Sequence, residues 1–181
     1  MTYLNYLGMR ADSPEVESLL ASMNTMKRPA LDLEDDDHVF ADWVLIRRKG
    51  IEFGFTDSAN HFAEPRNRWG NSPLILTQLY FYRAFDNVVS YTGTLPFDLD
   101  LDDGRQIVRQ KMSKYASTLR SHISDTWDTE QYRISVIYSA DDKIDRMAVM
   151  LMEKRLPADE SVSIPGLTQL INLLGAPVKS T

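Results

Sequence analysis

The feature that most constrains this fold is an order of segments that occurs twice along the chain. In the first half, Ser13-Pro14-Glu15 has the residue types of a helix start, and apolar residues then recur at helical spacing as far as Asn24. Strand-like segments follow at 42–48, 51–55 and 74–82. Such a unit cannot bury both its helix and its sheet face alone, so the sequence predicts a second unit beside it.

The second half has the same order. A longer helix is predicted after Gly104, because apolar residues mark one helical face as far as Ile123 and the chain runs on to Ser124. Strands are predicted at 126–128, 132–138 and 144–153. Matching the two units places Trp43 with Trp127, and Phe53 with Ile134.

These patterns predict a single α+β domain over residues 1–181. Two tandem helix-strand-strand-strand repeats, at 1–92 and 93–155, would join into one antiparallel sheet of six or more strands with the helices on one face. A C-terminal helical cap is predicted at 156–181, since a short helix begins near Ser163 and Gly175 has the residue type of its end.

Composition limits the function classes. Hydrophobic residues make up 43% of the chain, which is a folding composition, and the absence of cysteine excludes thiol nucleophiles, thiolate metal sites and disulfides. The net charge of −6 argues against nucleic acid as a partner and favours a protein with a basic surface. We find no secretory signal and no membrane-spanning run, so the expected location is cytoplasmic and no membrane is expected as a partner.

Catalytic motifs are missing. The histidines at 38, 61 and 122 lack metal-ligand spacing, and the chain has no nucleophile elbow, phosphate loop or dinucleotide fingerprint. An acid pair drawn from Asp128, Glu130 and Asp141 would lack a supporting nucleophile or ligand. The sequence therefore predicts a protein that is not an enzyme, with no catalytic residue, cofactor or metal site.

An acidic run in the first half has two readings. It resembles a calcium loop only superficially, because the sharp-turn glycine and the twelfth-position glutamate are missing. It is either a solvated loop or a contact surface for a basic partner. The candidate partner-binding residues here are Glu34, Asp35, Asp36 and Asp37.

Two further segments carry residue types that are typical of binding surfaces. A long loop contains Arg66, Arg68 and Trp69, although the tryptophan could instead pack back over the core. The third strand places one set of residues on the face away from the helices, which is a docking surface if the strand is central and open, and core if a loop or the C-terminal helix covers it. Strict alternation assigns Leu76, Gln78, Tyr80 and Tyr82 to that face, and Ile75, Thr77, Leu79 and Phe81 to the other.

Five segments between about residues 3 and 153 resemble bacterial immunity proteins encoded beside polymorphic or type VI secretion toxins. The tandem layout is also similar to that of beta-lactamase inhibitor proteins and of small outer-membrane assembly lipoproteins. The segments are Tyr6-Leu7-Gly8, Asp12-Ser13-Pro14-Glu15-Val16, Leu95-Pro96-Phe97-Asp98-Leu99, Trp127-Asp128 and Tyr132–Tyr138.

The resemblance implies a protein that binds one secreted toxin tightly and blocks its active site. Because the chain is acidic, we expect a cytoplasm-acting toxin with a basic cleft, such as a nuclease. The alternative is an adaptor or chaperone that binds a secreted effector for delivery without neutralising it.

Overall fold

The computed structural model describes residues 3–32, 34, 40–62, 70 and 72–152. Its helices are α1 (Pro14–Ser22), α2 (Ser58–His61) and α3 (Arg105–Lys111). Its strands are β1 (Ala41–Ile46), β2 (Ile51–Asp57), β3 (Leu74–Tyr82), β4 (Ala116–Arg120), β5 (Ser124–Asp128), β6 (Tyr132–Tyr138) and β7 (Ile144–Leu151). Within these ranges no helix has the length and apolar character needed to cross a membrane.

One antiparallel sheet contains all seven described strands, in the order β1-β2-β3-β7-β6-β5-β4. Strands β1 to β3 form one meander and β4 to β7 form another. The last strand of each meander pairs with the other at the centre, where Leu79 lies opposite Val149 and Phe81 opposite Met147. The architecture is α+β, and β3 is an internal strand.

Helices α1 and α3 cover one side of this sheet, which we call the inner face. Helix α1 begins at Ser13, whose hydroxyl accepts the Val16 N–H at 3.3 Å, with Pro14 in the first turn. Its buried residues and those of α3 share one core with the inner face of the sheet. The core includes Val16, Leu19 and Leu20 of α1, Val108 of α3, and Val44, Phe53, Phe81, Trp127, Ile134, Val136 and Met147 of the strands.

The second helix is shorter than its apolar pattern predicts. Helix α3 ends at Lys111, and residues 116–120 form β4, with all five side chains exposed. Ser117 and Thr118 are poor helix formers, and pairing of β4 with β5 satisfies the backbone hydrogen bonds that a longer helix would have supplied. The second meander consequently has four strands, where the sequence predicted three.

The basic residues of α3, Arg105, Arg109 and Lys111, all bind carboxylates. Arg109 donates two hydrogen bonds to the fully buried Asp125, at 2.7 and 2.9 Å. The Tyr138 hydroxyl donates to the same carboxylate at 3.2 Å, and the Arg105 guanidinium lies 4.2 Å from the centre of the Tyr138 ring. Burial, followed by the Asp125 charge, raises the pKa of Tyr138 above its usual value. This cluster ties α3 to the sheet.

The two tryptophans do not occupy equivalent positions. Ile134 lies opposite Trp127, but Phe53 lies opposite Val44, so Val44 is the counterpart of Trp127. Trp127 is buried on the inner face, whereas Trp43 lies opposite Gly54 on the other side of the sheet. A one-residue difference in position along a strand reverses the face, because successive side chains alternate.

The predicted C-terminal helix, and the whole cap at 156–181, lie outside the described residues. The boundaries of the domain and of the two units remain predictions from the sequence.

Candidate functional site: the outer face of the sheet

We call the side of the sheet opposite α1 and α3 the outer face. A bulge in β3 determines which residues of that strand lie on this face. Gly54 lies opposite Gln78, yet Phe55 lies opposite Leu76, so Thr77 is an extra residue. The Thr77 hydroxyl lies 2.7 Å from that of Thr56 on the outer face, and Leu76 is buried in the core. The strict alternation predicted for this strand is therefore wrong for residues 75–77 and holds for residues 78–82.

Three of the predicted partner-binding residues, Gln78, Tyr80 and Tyr82, share this outer face, and we call them the tyrosine ridge. The rings of Tyr80 and Tyr82 stack with centroids 6.2 Å apart and an interplanar angle of 15°. The Tyr80 hydroxyl donates to the Gln78 amide oxygen at 2.5 Å, and the Tyr82 hydroxyl donates to the Glu52 carboxylate on β2. The rings are thus held in place before any partner binds.

The surroundings of the ridge raise the pKa of both tyrosine hydroxyls. Burial is the main cause that raises the pKa of Tyr80, and the Glu52 charge adds to it. Burial also dominates for Tyr82, whose pKa is raised further by the hydrogen bond to Glu52. Arg146 on β7 acts in the opposite direction on both tyrosines. At neutral pH each hydroxyl therefore keeps its proton, which it donates within the protein.

The side chains of the outer face differ in size on the two sides of the tyrosine ridge. Toward β1, the Trp43 indole lies over Gly54, where an added Cβ would meet its Nε1 at 3.0 Å, so a side chain at 54 would displace the ring. Toward β6, Tyr80 lies opposite Ala148, and Ala148 opposite Ser135. Ala148 is 6% exposed and Ser135 is half-buried, so small side chains lie beside the aromatic rings on this side.

A groove of about 840 Å³ crosses the outer face at the end nearest α2. Gln78 and Met150 line its floor, and His61 of α2 lies at one end. At the other end Arg133 donates two hydrogen bonds to Asp128, at 2.8 and 2.9 Å. The charges in this part of the groove are therefore paired within the protein.

Asp57, which the sequence analysis did not single out, anchors the chain on both sides of the loop predicted to bind a partner. Its fully buried carboxylate accepts the N–H groups of Asn60, Gly70 and Ser72, each at 3.0 Å. The available signal was an Asx residue directly before the short helix α2. The predicted residues Arg66, Arg68 and Trp69 lie outside the described residues.

Of the acidic run, the structure describes Glu34, which is exposed and whose N–H donates to the Asp32 carboxylate at 3.0 Å. Asp35, Asp36 and Asp37 lie outside the described residues. Nothing described brings Glu34 into contact with the tyrosine ridge. In the described parts of the chain, no three histidine, aspartate or glutamate side chains are grouped so that they could hold a metal ion.

Comparisons with known proteins identify no family for this chain. No protein family model matches the chain, and no curated protein matches it in sequence. A solved structure with some likeness is an extracellular protein containing a SCP domain from Bacillus anthracis str. Ames, with 13% sequence identity and a TM-score of 0.49. The match covers 83% of this chain and 45% of that one, so this chain spans less than half of the other protein's length.

Proposed function

We propose that this protein is an immunity protein, which binds a cognate secreted bacterial toxin and neutralises it by covering the toxin's active site. The observation that carries the proposal is the tyrosine ridge, because it places stacked aromatic side chains on the outer face of an internal strand, opposite the helices. Tyrosine is enriched among the residues that dominate binding energy at protein interfaces. The segments that resemble immunity proteins point to the same function.

The ridge is suited to tight binding because its side chains are already fixed. Tyr80 and Tyr82 are hydrogen-bonded to Gln78 and Glu52, so ordering them on association costs little conformational entropy. Tyr80 keeps part of its ring exposed, whereas Tyr82 is 8% exposed and its ring packs against that of Phe85. A partner surface that covers the ridge can therefore gain apolar contact with Tyr80 and Phe85, while the hydroxyl oxygens, whose protons are already donated, can accept hydrogen bonds.

We further propose that the two meanders descend from one tandem unit of a helix and three strands, with β4 as an addition at the edge. Each half places a helix before its strands, and the third strand of each unit, β3 and β7, meets the other at the centre of the sheet. This arrangement would make the outer face continuous across both units.

The chemistry of the toxin is proposed from charge. A net charge of −6 and the acidic run at 34–37 favour a toxin with a basic cleft, such as a nuclease acting in the cytoplasm, which is where we propose that this protein works. Attraction between opposite charges would speed the encounter, and salt would weaken that effect.

Growth rescue tests this function. The product of the adjacent open reading frame is induced alone and together with this protein, and binding of the two purified proteins is measured by titration. We expect rescue and a tight complex, and Tyr80→Ala should weaken the complex about 30-fold, as loss of a central aromatic contact does. Ile107→Ala, on the exposed side of α3, is the matched control and should leave binding unchanged.

Other outcomes distinguish the alternatives. A complex that forms without rescuing growth would replace the proposal with an adaptor or chaperone for a secreted effector. A rescue that survives Tyr80→Ala with unchanged affinity would remove the tyrosine ridge from the interface. If neither binding nor rescue is found, the immunity function is rejected for that pair of proteins.

A further inference from the structure

On the basis of the proposed function, we infer that Arg146 receives a carboxylate from the active site of the toxin. Arg146 lies on the outer face of β7, directly opposite Tyr82 on β3 and Ile137 on β6. It is half-buried, and within the described residues its guanidinium makes no hydrogen bond or ion pair. Its position, its burial and its free donors together mark it as a binding residue.

Arg146 differs in this respect from the other arginines that the structure describes. Each of those donates at least one hydrogen bond to a carboxylate, a backbone carbonyl or another side chain. The comparison on the same face is clearest, because Arg133 already holds Asp128 through two hydrogen bonds. Burial of part of this cation removes part of its hydration, no acceptor among the described residues replaces it, and an incoming acceptor would do so.

Glu52, an acid two strands away from Arg146, binds Tyr82 and forms no ion pair with Arg146. Glu52 lies on β2, opposite Tyr80, and accepts the hydroxyl of Tyr82. Strand β3 lies between Glu52 and Arg146, and two strand spacings separate their backbones by about 10 Å. The tyrosine ridge thus stands between an acceptor on one side and a donor on the other.

The planar shape of the guanidinium group favours a carboxylate as its ligand. Its planar fork matches a carboxylate with two parallel hydrogen bonds, which are stronger than bonds between neutral groups. Beside it on the outer face lie Ala148 and Ser135, whose small side chains extend less far from the sheet than the tyrosine rings do. A carboxylate at this point would lie against the rings of Tyr80 and Tyr82, sheltered from water.

A nuclease supplies such a carboxylate in the right place. Hydrolytic sites use aspartate and glutamate as general bases or as metal ligands, so a cleft that is basic overall contains acids at its centre. At Arg146 the positive charge therefore belongs to this protein and the negative charge to the toxin. In the long-range attraction between the two proteins the charges are the other way round. Pairing with a catalytic carboxylate also explains how binding at the ridge would block the reaction.

A double-mutant cycle tests this assignment. Arg146→Met is combined with amide replacement of each active-site carboxylate of the toxin, one at a time, and dissociation constants and rates are measured for every combination. We expect Arg146→Met to weaken the complex about 30-fold or more, mainly through faster dissociation. One toxin variant should show a similar loss, and the double variant should be scarcely weaker than either single variant.

Two controls make the result specific. Arg133→Met removes an arginine from the same face whose carboxylate partner lies within this protein, and it should not couple to any toxin carboxylate. Arg146→Lys retains the charge without the fork and should restore part of the affinity. Circular dichroism and thermal unfolding of each variant establish that the fold is retained.

The outcomes separate this inference from the function on which it rests. Failure of the unaltered proteins to bind counts against the immunity function itself. If they bind with high affinity but Arg146→Met changes the affinity by less than threefold, or its loss is additive with every carboxylate replacement, then the assignment of Arg146 is wrong and the proposed function stands.

Discussion

The buried pair between Arg109 and Asp125 gives the sharpest test of how the second half is held together. Arg109→Met would leave the fully buried Asp125 carboxylate with the Tyr138 hydroxyl as its remaining described side-chain donor. Removing one partner of a buried pair costs about 3–5 kcal/mol, because the remaining charge is uncompensated. For a chain of this length we expect the midpoint of thermal unfolding to fall by about 6–20 °C.

The opposite substitution should cost less. Asp125→Val leaves Arg109 unpaired, but the Arg109 side chain is 34% exposed and can reach water. We therefore expect a loss of about 1–3 kcal/mol for Asp125→Val, in the range for breaking a hydrogen bond to a charged group. The double variant removes both charges and should be more stable than Arg109→Met alone by about 2 kcal/mol.

Urea unfolding at neutral pH, followed by circular dichroism, measures all four free energies in one thermodynamic cycle. The slopes of the unfolding curves should agree among the variants if each unfolds in a single step. A loss below about 1 kcal/mol for Arg109→Met, or a double variant no more stable than that single variant, would refute the reasoning from burial.

Three further changes are tested by the same unfolding measurement. Gly50→Ala should cost at least about 2 kcal/mol, because Gly50 has a φ of +60° and an added Cβ would lie 2.3 Å from the Val89 carbonyl oxygen; Gly104→Ala, at an unstrained helix cap, should cost a few tenths. Burial raises the pKa of Tyr91 to about 12, so the unfolded chain ionises first and stability should fall between about pH 10 and 12, with a smaller fall in Tyr91→Phe. Asp57→Ala removes an acceptor of three backbone N–H groups and should cost about 2–4 kcal/mol, with faster hydrogen exchange at those amides; unchanged exchange would contradict the anchoring role.

Most of the sheet was predictable from local pattern. The strands at 74–82 and 132–138 were predicted with the bounds that the structure gives, because β-branched and aromatic residues are dense there. The predicted helix over 112–124 failed for a reason that local pattern does not contain. Residues 116–120 pair with β5, and this long-range contact overrides an apolar spacing that also suits a helix.

The candidate site was predicted in part. Tyr80 and Tyr82 could be placed on one face from alternation alone, since that segment of β3 is regular. The bulge at Thr77 depends on how β2 lies beside β3, and the roles of Glu52 and Arg146 depend on which strands are neighbours. Cross-strand neighbours are far apart in the sequence, so their register must be seen before they can be assigned to a site.

The junction of β3 with β7 also suggests a way to divide the protein. Each meander is built from strands that follow one another in the chain, whereas this junction joins segments from opposite halves. A break in the connection between Tyr82 and α3 would give two chains, each with a complete meander and an incomplete core. We expect the separated chains to reassociate through the pairing of β3 with β7. If each chain carried one half of a split reporter protein, recovery of the reporter signal would show this reassociation in a living cell.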